Sequence, residues 1–414
     1  MKMDKNINLL FLSLVFFIYL AGCDQPDKHE TAIKSLQDDI SFLASDELEG
    51  RETGTAGAIK AAEYLANRFQ KIGLAPKGTD GYFQEFSFSP RKNPHVAPSD
   101  DSVKIIARNV IGYLDNNAAN TIIIGAHFDH LGYGSESSLY KWDSAIHNGA
   151  DDNASGVAAL LLLAEELTGR NVNNNYLFIA FSGEEKGLFG SNYYSKNPTI
   201  DLGEANYMIN MDMVGRLNEE NALAINGTGT SPAWKDIIED IRIDSLKLIT
   251  SESGIGPSDH TSFYLKDMPV LHFFTGQHED YHKPTDDADK INYEGIYVVT
   301  AYIDSLISRL DENDKLAFTK TKDESRDTPR FTVTLGVVPD YMFDGKGMRI
   351  DGVSEDKPAM KAGLLTGDVV IKLGEIEVTD MMSYMKALSE FKKGDATEVV
   401  VRRGEEDLTY PIQF

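Results

Sequence analysis

Five short motifs in this 414-residue chain carry residue types able to do chemistry together. They are Ala126-His127-Phe128-Asp129-His130, Gly149-Ala150-Asp151-Asp152-Asn153-Ala154-Ser155-Gly156, Phe181-Ser182-Gly183-Glu184-Glu185, Asn210-Met211-Asp212-Met213 and Tyr281-His282. Imidazoles mixed with hard carboxylates suit a divalent metal of the zinc class. One zinc takes three or four ligands, and this set is too rich in carboxylates for a closed structural site. Two zinc ions about 3.5–4 Å apart, bridged by one carboxylate and a water, would use all five ligands. On this reading His127 and Asp212 hold one metal, Glu185 and His282 hold the other, and Asp152 bridges them. Asp129 is too near His127 in sequence to need its own metal. Its carboxylate is expected to accept the far imidazole N–H and fix the tautomer. Adjacent residues of an extended segment point opposite ways. Glu185 can therefore bind metal while Glu184 faces the water as a general base and hands its proton to a leaving amine.

These residues need a scaffold that brings distant motifs to one edge. The apolar, β-branched run Ile122-Ile123-Ile124 stops at His127, as a buried parallel strand delivering a ligand to the carboxyl edge of a sheet. Apolar patterning predicts further strands at 176–181, 207–210, 222–226 and 270–274, and helices at 154–167, 231–243, 259–265 and 293–310. That alternation implies an α/β/α sandwich around a mostly parallel mixed sheet. Upstream, residues 33–75 read as helices around a polar, glycine-punctuated loop at 46–55, followed by an edge strand at 82–89 and a Pro-rich loop at 90–101. Residues 311–330 read as a charged linker. Beyond it, short β-patterned segments at 331–337, 347–353, 369–373, 398–402 and 409–414 make a small, mainly antiparallel domain.

The formal charge of −25 argues against nucleic acid or an anionic membrane surface as an electrostatic partner. Lys2 and Lys5 precede an apolar run from Leu9 to Leu20, which has the length of a secretory leader and is too short for a membrane span. The run ends in Leu20-Ala21-Gly22-Cys23, which resembles the bacterial lipoprotein signal, cleaved before a cysteine that becomes lipid-modified. Cys23 is the only cysteine, so it makes no internal disulfide. The expected order is a signal peptide at 1–22, a tether at 23–32, a catalytic domain at 33–310, the linker at 311–330 and the small domain at 331–414. The expected location is outside the cytoplasm, lipid-anchored to a bacterial membrane on its periplasmic or outer-surface side.

Across residues 36–310 the ordered motifs resemble the di-zinc aminopeptidase family, which includes secreted bacterial leucyl aminopeptidases. More distantly they resemble glutamate carboxypeptidases and glutaminyl cyclases. The resemblance implies a zinc exopeptidase fold, two Zn2+ ions, peptide substrates, a bridging Asp152 and a base at Glu184, in agreement with the roles read from the residues. Resemblance to the carboxypeptidases suggests that Tyr281 hydrogen-bonds the tetrahedral oxyanion; the other reading packs it under the metal loop. Two readings fit Ser258-Asp259-His260: Asp259 and His260 lining the substrate pocket or, the favoured one, Ser258-Asp259 capping the helix after it. His130, His147, His272 and His278 read as ordinary polar or core histidines. Residues 331–414 resemble a bacterial-type PDZ domain, with Leu335, Gly336 and Val337 in the carboxylate-binding loop. That implies a groove for a peptide or protein C-terminus. Two other functions fit parts of the chain. One is cyclisation of N-terminal glutamine, which normally uses one zinc. The other is peptide binding by a non-catalytic lipoprotein through the PDZ groove.

Overall fold

The computed structural model describes residues 27–414 apart from 90–103, 135–136, 141, 171–172, 244–245, 322–332, 341–342, 344 and 354–356. The expected signal peptide, Cys23 and the Pro-rich loop lie outside the described residues. Helix α1 (Lys28–Leu43) begins inside the expected tether, because the Asp27 side chain accepts the His29 N–H and caps it. Leu36, Ile40 and Leu43 on α1 are fully buried. Helix α2 (Ala56–Ile72) is capped by Thr55 and ends at Gly73, whose φ of 96° closes it in the left-handed region.

The strands β1 (Ala75–Pro76), β2 (Phe83–Phe88), β3 (Ile105–Leu114), β4 (Asn120–His127), β5 (Asn174–Phe181), β6 (Ala205–Met211), β7 (Ala222–Asn226), β8 (Lys247–Ser251) and β9 (Val270–Phe274) form one sheet. Its order is β1-β3-β5-β4-β6-β9-β7-β8, with β2 also paired to β3. The centre, β5-β4-β6-β9, is parallel. The flanking pairs β3/β5 and β7/β9 are antiparallel. Side chains alternate between two cores, as the two-residue period of a strand requires. Ile122 and Ile124 pack with α1, α2, α3 (Gly156–Leu167), α5 (Ala233–Asp240) and α7 (Tyr293–Leu310). Ile123, Leu177 and Met208 face the other way, towards Tyr194 of α4 (Phe189–Lys196) and Phe263 of α6 (His260–Tyr264). The result is a three-layer sandwich whose central strands all aim their carboxyl ends at one edge.

The expected linker departs from its reading. Residues 311–321 lie along the sandwich: Asp311 accepts from Asn173 and Asn174, Leu316 N–H donates to Asn206, and Thr319 N–H donates to the Thr230 carbonyl. Thr321 donates to the Tyr264 hydroxyl, and Phe318 packs against the Tyr264 ring. The remainder of the linker, 322–330, is outside the described residues.

The C-terminal unit has a core of its own, including Leu335, Ile350, Val370, Leu373, Val399 and Val401. It consists of β10 (Val337–Pro339), β11 (Met348–Val353), α8 (Pro358–Ala362), β12 (Val369–Leu373), β13 (Ile376–Glu377), α9 (Met381–Ser389), β14 (Ala396–Arg403) and β15 (Glu406–Gln413). The sheet order is β10-β11-β12-β14-β15, antiparallel throughout, with β13 on β12. Leu335 is buried in the core, and Gly336 takes a φ of 76° with its N–H on the Thr334 hydroxyl.

Candidate metal centre

His127 is the last residue of β4, and Asp212 directly follows β6. Glu184 and Glu185 follow β5 through Gly183, whose φ of 81° reverses the chain there. Asp152 sits in the turn entering α3, and His282 lies on the loop after β9. The parallel centre of the sheet thus brings all five predicted ligands to its carboxyl edge.

Their spacing is informative. The Nε2 atom of His127 is 3.2 Å from Asp212 Oδ1 and 3.5 Å from Asp152 Oδ1. The Nε2 atom of His282 is 3.2 Å from Asp152 Oδ2 and 3.5 Å from Glu185 Oε2. Ligands bound at 2.0–2.1 Å around a tetrahedral metal stand about 3.3 Å apart. Each imidazole stands near that spacing from two carboxylates, and Asp152 offers one oxygen to each. Among the described residues, the ligand atoms that all gather within 4.8 Å of one another are those of His127, Glu184 and Asp212, and those of His130, Asp152 and Glu185. Glu184 Oε2 is farther from His127 Nε2, at 4.0 Å.

Both imidazoles have their other nitrogen tied back. Nδ1 of His282 is 2.9 Å from the Ser137 carbonyl, and Nδ1 of His127 is 3.2 Å from the Asp129 carbonyl. A proton held at Nδ1 leaves Nε2 with a lone pair for a metal. For His127 this differs from expectation, since the backbone oxygen of Asp129 is the nearer acceptor and its carboxylate stands 3.8 Å away. That carboxylate instead accepts the Thr53 hydroxyl at 2.7 Å and the Glu184 N–H at 3.1 Å. Asp129 therefore fixes the backbone of Glu184.

Charge in this buried cluster is strongly perturbed. Burial alone pulls His127 down, yet Asp212 and Glu184 push it well above its ordinary value. Burial likewise opposes the rise of His282 to about 9, which is driven by the Asp152 hydrogen bond and the Glu185 charge. Burial lifts Glu184 well above the usual carboxylate range, with Asp212, Glu185 and Asp259 adding to it against His127. Four carboxylates around two imidazoles favour added positive charge, which a divalent cation supplies.

Several supporting residues were missed or left without a role. Arg51, from the loop at 46–55, is fully buried and donates to the carbonyls of Phe128, Leu43, Asn148 and Gly149. Asp286 Oδ2 accepts the N–H groups of Asp151 and Asp152, at 2.9 and 3.1 Å. Asp151 Oδ1 accepts from Ser155 and from Gly215 N–H, and His278 lies 3.2 Å from its other oxygen. His147 meets the Ser138 hydroxyl at 2.8 Å, and His272 stacks on His260 inside the core. His130 Nδ1 is 2.8 Å from Glu185 Oε1, a contact its reading as an ordinary histidine did not foresee.

Geometry bears on two local expectations. Asp259 starts α6 but makes no side-chain cap bond; burial pushes it up to about 7, with neither oxygen well paired. The capping role is therefore corrected. Ser258 accepts instead from Asn210 Nδ2 at 2.9 Å. Tyr281 stacks its ring on His282, centroids 3.8 Å apart, and burial holds its phenol well above the ordinary value, so it remains a proton donor.

Residues 109–307 match Peptidase family M28, and residues 315–413 match the PDZ domain family. A probable leucine aminopeptidase of Arthroderma otae is 28% identical over 172 residues, 39% of this chain and 45% of that protein. Leucine aminopeptidase 2 of Trichophyton rubrum is 26% identical over 341 residues, 69% of this chain and 65% of that protein. The chain thus spans less than half of the first relative and about two thirds of the second. Among solved structures, an aminopeptidase from Aneurinibacillus sp. strain AM-1 aligns with TM-score 0.53 at 19% identity, covering 70% of this chain and 95% of that one. A Zn-dependent exopeptidase from Parabacteroides distasonis aligns with TM-score 0.55 at 18% identity, covering 66% and 97%. Porphyromonas gingivalis glutaminyl cyclase aligns with TM-score 0.54 at 18% identity, covering 67% and 98%. These likenesses define the fold of the sandwich. The chain carries a Peptidase family M28 domain followed by a C-terminal PDZ domain.

Proposed function

We propose that this chain is a zinc-dependent aminopeptidase that removes N-terminal residues from peptides, held to a bacterial membrane by a lipid on Cys23. The observation that carries the catalytic part is the pair of imidazoles, each 3.2–3.5 Å from two carboxylates, with Asp152 facing both. His127, Asp152 and Asp212 would hold one zinc, and Asp152, Glu185 and His282 the other. Zinc held there supplies Lewis acidity, which polarises a peptide carbonyl and makes water a stronger acid. Glu184, fixed through its N–H by Asp129, takes the proton of the attacking water. As the water oxygen bonds to the carbonyl carbon and the C–N bond breaks, Glu184 gives that proton to the departing amine. Tyr281, kept protonated beside His282, would donate to the oxygen on which charge develops.

The lipid anchor rests on Leu20-Ala21-Gly22-Cys23. The PDZ groove would take peptide C-termini, of substrate or partner.

The test is hydrolysis of aminoacyl-anilides and free dipeptides by metal-stripped protein before and after zinc is restored. A glutaminyl peptide belongs in the same panel. Zinc-restored release of N-terminal residues is the expected result; ring closure of the glutaminyl peptide without hydrolysis of the others would contradict it.

A further inference from the structure

We propose that His130 is a positioning residue that holds Glu185 as a ligand through one oxygen only; the inference rests on the two-metal reading above. The two carboxylate oxygens of Glu185 face different partners. Oε2 lies 3.5 Å from His282 Nε2, on the metal side, while Oε1 lies 2.8 Å from His130 Nδ1.

His130 gathers with Asp152 and Glu185 within 4.8 Å, as a group able to hold a metal would, but its ring contacts differ from those of the two predicted imidazole ligands. In His127 and His282 one ring nitrogen meets a backbone carbonyl and the other faces carboxylates at 3.2–3.5 Å. In His130 the contact is at ordinary hydrogen-bond distance to Glu185, and the next carboxylate oxygen, Asp152 Oδ2, is 3.9 Å away. The opposite nitrogen, Nε2, is buried without a partner. A ring donating from Nδ1 leaves only a lone pair at that site. Ligand bonds to a shared metal would instead separate the two groups by about 3.3 Å.

The backbone is shaped around this ring. Gly149 has a φ of 57°, and a Cβ there would stand 2.5 Å from His130 Cδ2 and 2.1 Å from the Asp152 carbonyl. The glycine that opens the Asp151-Asp152 turn is thus also what gives the imidazole room. With Oε1 held by a donor, Glu185 cannot rotate to offer both oxygens or swing away from His282. Partners of this kind, acting on a metal ligand, alter metal affinity about 10–100-fold.

The test is zinc affinity of the full chain by chelator competition, with thermal stability of the metal-free protein measured alongside. His130→Leu fills the space without a donor and is expected to weaken one of the two zinc ions about 10–100-fold. His130→Asn can set its amide nitrogen near the position of Nδ1 and should return affinity to within a few-fold of wild type. His130→Gln carries its amide farther out and should not. In a Glu185→Ala background, His130→Leu should add nothing, because its effect runs through that carboxylate. Equal weakening by Leu and Asn with equal loss of metal-free stability overturns the inference in favour of simple packing. Complete loss of one zinc in every variant, Asn included, overturns it in favour of a direct ligand. Wild-type binding of two zinc ions with an unaffected Leu variant rejects His130 alone, whereas wild-type binding of fewer than two rejects the two-metal reading itself.

Discussion

The two halves of the candidate metal centre are built differently. His127 and Asp212 extend directly from β4 and β6, so the sheet fixes their backbones. His282 and Asp152 come from loops, and each is held by dedicated contacts. The Leu139 N–H donates to the His282 carbonyl, and the Ser137 carbonyl meets its ring. Asp286 receives two N–H groups of the Asp151-Asp152 turn, and Arg51 binds the carbonyls of Asn148 and Gly149 just before it. Strand ends come pre-organised; loops need buried polar anchors to reach the same precision. It follows that the loop-held half should be the one that distant substitutions loosen.

The largest expected effect separates holding metal from using it. Glu184→Gln removes the proposed base while leaving the proposed ligands of both halves in place. Turnover should fall about 10²–10⁴-fold with zinc content unchanged. A steady-state assay beside elemental analysis decides it, and activity within a few-fold of wild type would remove Glu184 from the role.

Arg51→Met probes the loop anchors. It strips the donors from four buried carbonyls, so a stability loss on the order of 3 kcal/mol is expected in denaturant unfolding. Arg51 anchors the turn that carries the shared Asp152, so zinc affinity should drop in both steps and more steeply at the site that also uses His282. Equal loss from both steps would erase the distinction between the halves.

A pH series addresses His282. Its folded value of about 9 lies above the unfolded value of about 6.5, so in metal-free protein its stabilising contribution is full below that lower value. The contribution fades as pH rises through about 9. The stability gap between wild type and His282→Gln should therefore be widest near pH 6 and close by about pH 10. A gap that grows with pH would contradict the assigned partners.

The smallest effect belongs to the domain boundary. Truncation after Thr321 keeps the contacts of Leu316, Phe318, Thr319 and Thr321, and should leave zinc content and turnover of a short substrate near wild type. Truncation near residue 315 removes them and should lower the melting temperature by a few degrees, on the scale of about 1 kcal/mol. Identical melting of the two forms would return 311–321 to the status of a free linker.

The strand-borne half was legible in the sequence because an apolar run that stops at a polar residue marks a buried strand and its ligand together. Ile122-Ile123-Ile124 leading to His127 is the clearest case. The loop-held half was legible only as ligands. A lone arginine in a polar loop looks like a surface residue, and the partners of Arg51 are backbone carbonyls that carry no sequence signal. His130 and Glu185 meet across 55 positions, beyond any local pattern. α4 and β8 were not foreseen for a related reason. α4 mixes glycine, serine and asparagine with its aromatics, and β8 is a half-exposed edge strand, so neither shows a clean period. In 311–321, two apolar side chains and a set of hydrogen bonds do what a periodic run does elsewhere.

The most direct measurement of the whole account is stepwise zinc titration of metal-free wild type and Asp152→Asn, read by calorimetry. Asp152 presents one oxygen to each half, Oδ1 towards His127 and Oδ2 towards His282. Wild type should bind two zinc ions per chain, and the substitution should weaken both steps. A single zinc in wild type, or two retained at unchanged affinity in Asp152→Asn, would contradict a bridged two-metal centre.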